Sequence, residues 1–146
     1  MNTYVKKLVS LLLVLTMVLG CLGTNAGAAP AGTNSPMASN YFALYGAKLI
    51  APGGGKLCVA GNVEAMSTMS SIGMAYFRVY KADGTFVTTV IGSISNGMLQ
   101  SQSDAYNGNY TYQASPGTTY YVVVTFTCSD AYGYDTRNYT TNTVIA

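Results

Sequence analysis

The sequence predicts an all-β domain of seven antiparallel strands packed as a sandwich. Short runs alternate apolar and polar side chains, the two-residue period of a half-buried strand. Turn signals part these runs at the regular spacing expected of a sandwich. The composition agrees: 49% of the chain is hydrophobic and only 8% charged. It lacks Trp, and Thr, Tyr, Val, Gly and Ser are abundant, a profile suited to pleated, partly buried surface. Disordered chains combine low hydrophobicity with high charge, the opposite of what is written here.

The first segment differs in kind. Lys6 and Lys7 precede an apolar run from Leu8 to Leu19, followed by Ala26-Gly27-Ala28-Ala29. A basic n-region, an apolar h-region and a small-residue cleavage region together read as a signal peptide. The run is shorter than the roughly 20 residues a spanning helix needs. Cleavage after Ala28 divides the chain into a signal peptide (1–28), a flexible linker (29–40) rich in Ala, Pro, Gly, Ser, Thr and Asn, and a β-sandwich domain (41–146). The expected location is secreted or at the cell surface. Val18-Leu19-Gly20-Cys21 offers a second outcome, lipidation of Cys21, and only then is a membrane a partner.

The strands follow in order. The first covers 41–50 and is stopped by Pro52-Gly53-Gly54-Gly55; the second covers 56–66, with Leu57, Val59, Val63 and Ala65 on one face and Cys58, Asn62 and Glu64 on the other. The third, 72–81, sets Ala75, Phe77 and Val79 against Tyr76, Arg78 and Tyr80. Asp83-Gly84 then makes a hairpin to 85–91, since this dipeptide supplies the positive φ of a tight turn. Residues 92–103 read as a crossover. Strands five, six and seven are 106–114, 119–129 and 134–145. Seven antiparallel strands in so short a domain fit an immunoglobulin-like sandwich.

Ala114-Ser115-Pro116-Gly117-Thr118-Thr119-Tyr120-Tyr121 and the valines after it resemble the corner before the sixth strand of fibronectin type III domains. Tyr76-Phe77-Arg78-Val79-Tyr80 resembles that family's third strand. The resemblance covers about the second half of the chain and lacks the family's strand-two tryptophan. It implies that Tyr120 is the structural tyrosine of the corner, with its hydroxyl bonded to nearby backbone. The whole chain beyond the signal segment, through Tyr41, Phe42 and Tyr45, Gly55 to Val59, and Asp135 to Arg137, also resembles a group of small exported proteins of Gram-positive gut bacteria. That likeness implies the compartment and the fold, and no activity.

The charges exclude several functions. Beyond residue 28, Glu64, Asp83, Asp104, Asp130 and Asp135 balance Lys48, Lys56, Arg78, Lys81 and Arg137. A neutral domain without clustered Lys or Arg has no electrostatic footprint for nucleic acid. Histidine is absent, which removes Ser-His-Asp and Cys-His catalysis and the usual zinc ligands. Glu64 is the sole glutamate, with no aspartate placed beside it for glycosidase-type chemistry. Asp130 and Asp135 flank one loop, where two polar loop residues are the expectation over a calcium site. Asp135 and Arg137 share a strand face as a surface ion pair. The expectation is no catalytic residue, no metal and no cofactor.

Cys58 falls near the start of the second strand and Cys128 near the end of the sixth. In a sandwich these strands run roughly parallel in opposite sheets, so the offset is about 25 Å at strand rise. A disulfide needs Cα atoms within about 7 Å. Two free thiols are expected, with Cys128 in the core and Cys58 on an outer face.

Tyrosine is the one excess: thirteen occur, and all but Tyr4 lie beyond the signal segment. Tyr110, Tyr112 and Tyr120 are expected in the core, and Tyr76, Tyr80, Tyr121, Tyr132, Tyr134 and Tyr139 outside it. Exposed tyrosines are rigid apolar plates with a polar tip, suited to interfaces. The expected function is a non-enzymatic extracellular binding module for a glycan or a surface protein. Its candidate contacts are Tyr76 and Tyr80 on the third strand and Tyr132 and Tyr134 in the last loop. The alternative is a structural surface or spacer protein without a specific ligand.

Overall fold

The computed structural model describes residues 39–146, all strands, turns and loops. The expected signal peptide, Cys21 and the linker up to residue 38 lie outside the described residues. In chain order the strands are β1 (Phe42–Gly53), β2 (Lys56–Met69), β3 (Ser71–Lys81), β4 (Phe86–Ile91), β5 (Leu99–Gln100), β6 (Ser103–Gln113), β7 (Thr119–Ser129), β8 (Tyr134–Thr140) and β9 (Val144–Ile145). Every pairing is antiparallel. One sheet has the order β1-β2-β6; the other has β4-β3-β7-β8, with β5 added to β3 and β9 to β7.

Alternation builds the core. Leu57, Val59 and Val63 of β2, Phe77 and Val79 of β3, and Val122, Val124, Phe126 and Cys128 of β7 are all at most 1% exposed. They interdigitate between the two sheets, the arrangement that removes most apolar surface from water. Tyr45 touches Phe42, Phe126 and Tyr139, with ring centroids 5.5, 5.9 and 6.4 Å away. Polar links close both flanks. Asn142, between β8 and β9, donates to the Leu49 carbonyl and accepts from the Leu49 amide, each at 3.1 Å. On the other flank the Tyr106 hydroxyl donates to the Gly97 carbonyl at 3.1 Å. The described residues thus carry their own core, and Ala31–Ala146 separates as one compact unit.

The strand limits differ from expectation where pairing outruns local pattern. β1 continues through Pro52 because its end pairs Gly53 with Lys56, and β2 reaches Met69, which pairs with Ser103. The expected crossover 92–103 contains β5, pinned to β3 through Gly73 and Leu99. Gly73 has φ +139, and a Cβ there would overlap the Met98 carbonyl oxygen. The expected last strand, 134–145, divides into β8 and β9, because Thr141 turns inward: its hydroxyl accepts from the Val122 amide at 3.1 Å. Ala75 is displaced by a bulge between Met74 and Tyr76, so Met74 takes the core position.

Among the tyrosines, Tyr106 is the buried member of β6, while Tyr110 and Tyr112 are only half-buried against the core. Tyr139, expected outside, faces inward onto Tyr45. Parity on β8 explains it: Tyr139 pairs with Val124 and Arg137 with Phe126, both core residues.

Candidate functional site

The outer face of β4-β3-β7-β8 gathers the aromatic side chains that the core does not use. Residues paired across strands share a face, so the register fixes its rows. Ile91, Tyr76, Thr125 and Asn138 form one row; Thr89, Arg78, Val123 and Thr140 form the next; Phe86, Tyr80 and Tyr121 form the third. Tyr80 and Tyr121 stack with centroids 5.2 Å apart and planes at 10°. Phe86 meets Tyr80 edge-on at 5.7 Å. The Arg78 guanidinium lies 5.2 Å from the Tyr76 ring centroid, within the range of a cation–π contact. Phe86 is 53% and Ile91 66% exposed. Arg78 is the sole charge in these rows.

Of the four candidate contacts, Tyr76 and Tyr80 therefore share the outer face of β3, each half-buried, with Arg78 between them. Tyr134 pairs with Ser129, eight residues along β7 from Tyr121, which is about 25 Å at strand rise. Tyr132 is at the tip of the adjoining turn. Tyr132 is 95% and Tyr134 75% exposed. Tyr132 and Tyr134 are thus at the far end of β7 from the Tyr80–Tyr121 stack, with Tyr76 between the two ends. Phe86 and Ile91 were missed because they become neighbours of Tyr80 and Tyr76 only once β4 is laid against β3. The signal available in the sequence was the Asp83-Gly84 hairpin, which fixes that register.

The β7–β8 turn is held from within. Asp130 accepts from the amides of Tyr132 at 2.7 Å and Gly133 at 3.0 Å, an Asx turn that presents Tyr132 to solvent. Ser39 donates to Asp135 at 2.7 Å, and Arg137 donates to the same carboxylate at 2.6 Å. Arg137 also lies 5.9 Å from the Phe42 ring centroid. The expected surface ion pair is therefore a half-buried one, with side chains 25% and 21% exposed, because inward parity on β8 carries it beneath the N-terminal strand. Burial, and then the carboxylates of Asp130 and Asp135, raise the Tyr41 phenol above its ordinary value.

Other chemistry is thinly represented. Among the described residues no three or more His, Cys, Asp or Glu are grouped to hold a metal ion. Glu64 lies on the opposite sheet, across from Leu44 and Ala105. Both thiols among the described residues are free, Cys128 buried and Cys58 half-buried. Burial, with a smaller push from Asp135, raises the Cys128 thiol to about 12. The Tyr120 hydroxyl, on a 2%-exposed side chain, accepts from the Ser115 amide at 3.3 Å.

The chain matches no protein-family model, no curated protein and no solved structure.

Proposed function

We propose that this chain is an exported, non-enzymatic binding module that engages a surface protein through the outer face of β4-β3-β7. The observation that carries the reading is the Phe86–Tyr80–Tyr121 row, in which Tyr80 contacts a ring on either side, on a sheet face with one charge. Protein interfaces favour aromatic side chains and Arg and disfavour other charges at their centres. A sugar ring stacks on an open aromatic face, and Tyr121 covers one face of Tyr80 while Arg78 lies against Tyr76. That favours a protein over a glycan on this surface. Phe86 and Ile91 add exposed apolar area beside the rings.

The fold assignment that goes with this reading is a fibronectin type III-like sandwich of the immunoglobulin-like class. It is supported by the strand order β1-β2-β6 against β4-β3-β7-β8 and by the Tyr120–Ser115 bond at the Pro116-Gly117 corner. In this reading the seven longer strands are the sandwich and β5 and β9 are short additions. Export rests on the basic and apolar pattern of residues 1–28.

A second reading, glycan binding at the β7–β8 turn, is favoured by the open rings of Tyr132 and Tyr134. Titrating labelled residues 31–146 onto intact producing cells separates the two. Saturable binding that is lost on protease shaving and weakened at least tenfold by Tyr80→Ala is expected. Binding that survives shaving and requires Tyr132 and Tyr134 establishes the glycan instead. Without saturable binding both fail, and the structural or spacer role stands.

A further inference from the structure

An edge strand turns the amide and carbonyl of alternate residues away from its neighbour. Proteins ordinarily guard such edges with charge, proline or a bulge. The two sheets have four edges. β1 carries Lys48 and Pro52, β6 carries Asp104, and β8 carries Asp135 and Arg137. β4 reads Phe-Val-Thr-Thr-Val-Ile: every residue favours a strand, and none is charged or a proline. No charged residue occurs anywhere from Thr85 to Ser103. Its single guard is the bulge between the Val79 and Tyr80 pairings.

We infer that β4 pairs with β4 of a second copy, antiparallel, about a two-fold axis at Thr89, making one continuous sheet through the dimer. What fits an edge is an extended strand that supplies its own amides and carbonyls, and β4 is suited to its own copy. With Val87 and Thr88 taken together as the bulge, Thr89 lies opposite Thr89 of the second copy. Ile91 then lies opposite Phe86 at both ends of the contact. These are two of the largest exposed apolar side chains, 66% and 53% accessible, and pairing covers them symmetrically.

Charge permits the arrangement. The nearest charge on this face, Arg78, is one strand in from the edge. The two copies of Arg78 are then three strand spacings apart, about 14 Å. That exceeds the Debye length of roughly 8 Å at physiological salt. The contact is isologous and closes on itself, so it yields a dimer and not a fibre or coat.

Sedimentation of residues 31–146 across a concentration series is expected to show the mass doubling. Thr89→Lys and Ile91→Lys are each expected to return the monomer with the melting temperature kept. Thr136→Lys, an exposed threonine on the β8 edge, leaves the dimer intact. A direct probe uses the axis. Opposed Cα atoms in an antiparallel pair are about 4.5–5.5 Å apart, within disulfide reach. Thr89→Cys in a Cys58→Ser background is therefore expected to form a disulfide-linked dimer on oxidation, and Thr136→Cys is not. A monomer at every concentration, open-ended assembly, or failure of Thr89→Cys to cross-link overturns the inference. The readouts are mass and cross-linking, so they stand or fall apart from any partner on the aromatic face.

Discussion

Tyr80 and Tyr121 face one another across the β3–β7 pair, their centroids 5.2 Å apart and their planes 10° from parallel. Cross-strand aromatic pairs of this kind contribute about 0.5–1.5 kcal/mol beyond area burial. A double-mutant cycle with Tyr80→Ala and Tyr121→Ala, read by chemical denaturation, is expected to return a coupling energy of about that size. On the proposed reading the pair fixes the ring edges for the partner, and either substitution is expected to weaken cell-surface binding at least tenfold. Full binding in both single variants would separate the rings from recognition.

Tyr120 tests the corner after β6. Its hydroxyl accepts from the Ser115 amide while its ring is buried. Phenylalanine keeps the ring and leaves that amide unpaired. A neutral hydrogen bond is worth about 0.5–1.5 kcal/mol net, and Tyr120→Phe is expected to lower stability by about 1 kcal/mol in urea unfolding, with binding unchanged.

Gly73 tests the anchoring of the 92–98 loop. Its φ of +139 strains any L side chain, and a Cβ would overlap the Met98 carbonyl oxygen. Met98 is itself fully buried, so the loop cannot yield without opening the core. Gly73→Ala is expected to lower stability by about 2–3 kcal/mol, seen as a lower midpoint at unchanged denaturant slope.

Strand identity was legible in the sequence because alternation is local: Phe77 and Val79 against Tyr76, Arg78 and Tyr80 needs only a two-residue period. Where a strand stops was less so. Thr141 reads as one more strand residue until its hydroxyl is seen accepting from Val122. Parity across sheets was also hidden. Tyr139 and Tyr134, five residues apart on one strand, must face opposite ways, and only the pairing of Tyr139 with Val124 and Tyr134 with Ser129 decides which faces in. The candidate site shows the same division. Tyr76 and Tyr80 could be chosen from their own strand, whereas Phe86 and Ile91 join them through the β3–β4 register.

Alkaline pH tests the buried thiol and phenol together. Burial raises Cys128 from 9.0 and Tyr106 from 10.0, each to about 12. The unfolded chain therefore loses these protons at lower pH than the folded one. Stability from both groups is fully present below pH 9, falls as Cys128 ionises in the unfolded state, and falls faster above pH 10 as Tyr106 follows. The slope is at most about 1.4 kcal/mol per pH unit for each group. Urea midpoints measured from pH 8 to 11 are expected to trace this decline. At pH 8 the native protein is expected to give one thiol to a maleimide, Cys58, and two after unfolding.

The last prediction concerns the β7–β8 turn. Tyr132 and Tyr134 are 95% and 75% exposed, and the turn's geometry comes from Asp130 accepting two backbone amides, not from either ring. Replacing both tyrosines by Ala is expected to lower stability by less than about 1 kcal/mol, the range of surface changes. Asp130→Ala removes the Asx turn and is expected to lower it by about 1 kcal/mol with both rings still present. Glycan arrays separate the consequences. If the turn binds sugar, the double tyrosine variant loses all retention and Asp130→Ala only part of it, since the rings remain but their presentation is loosened. If retention is the same in all three proteins, the turn is not a binding site and its tyrosines serve only as surface.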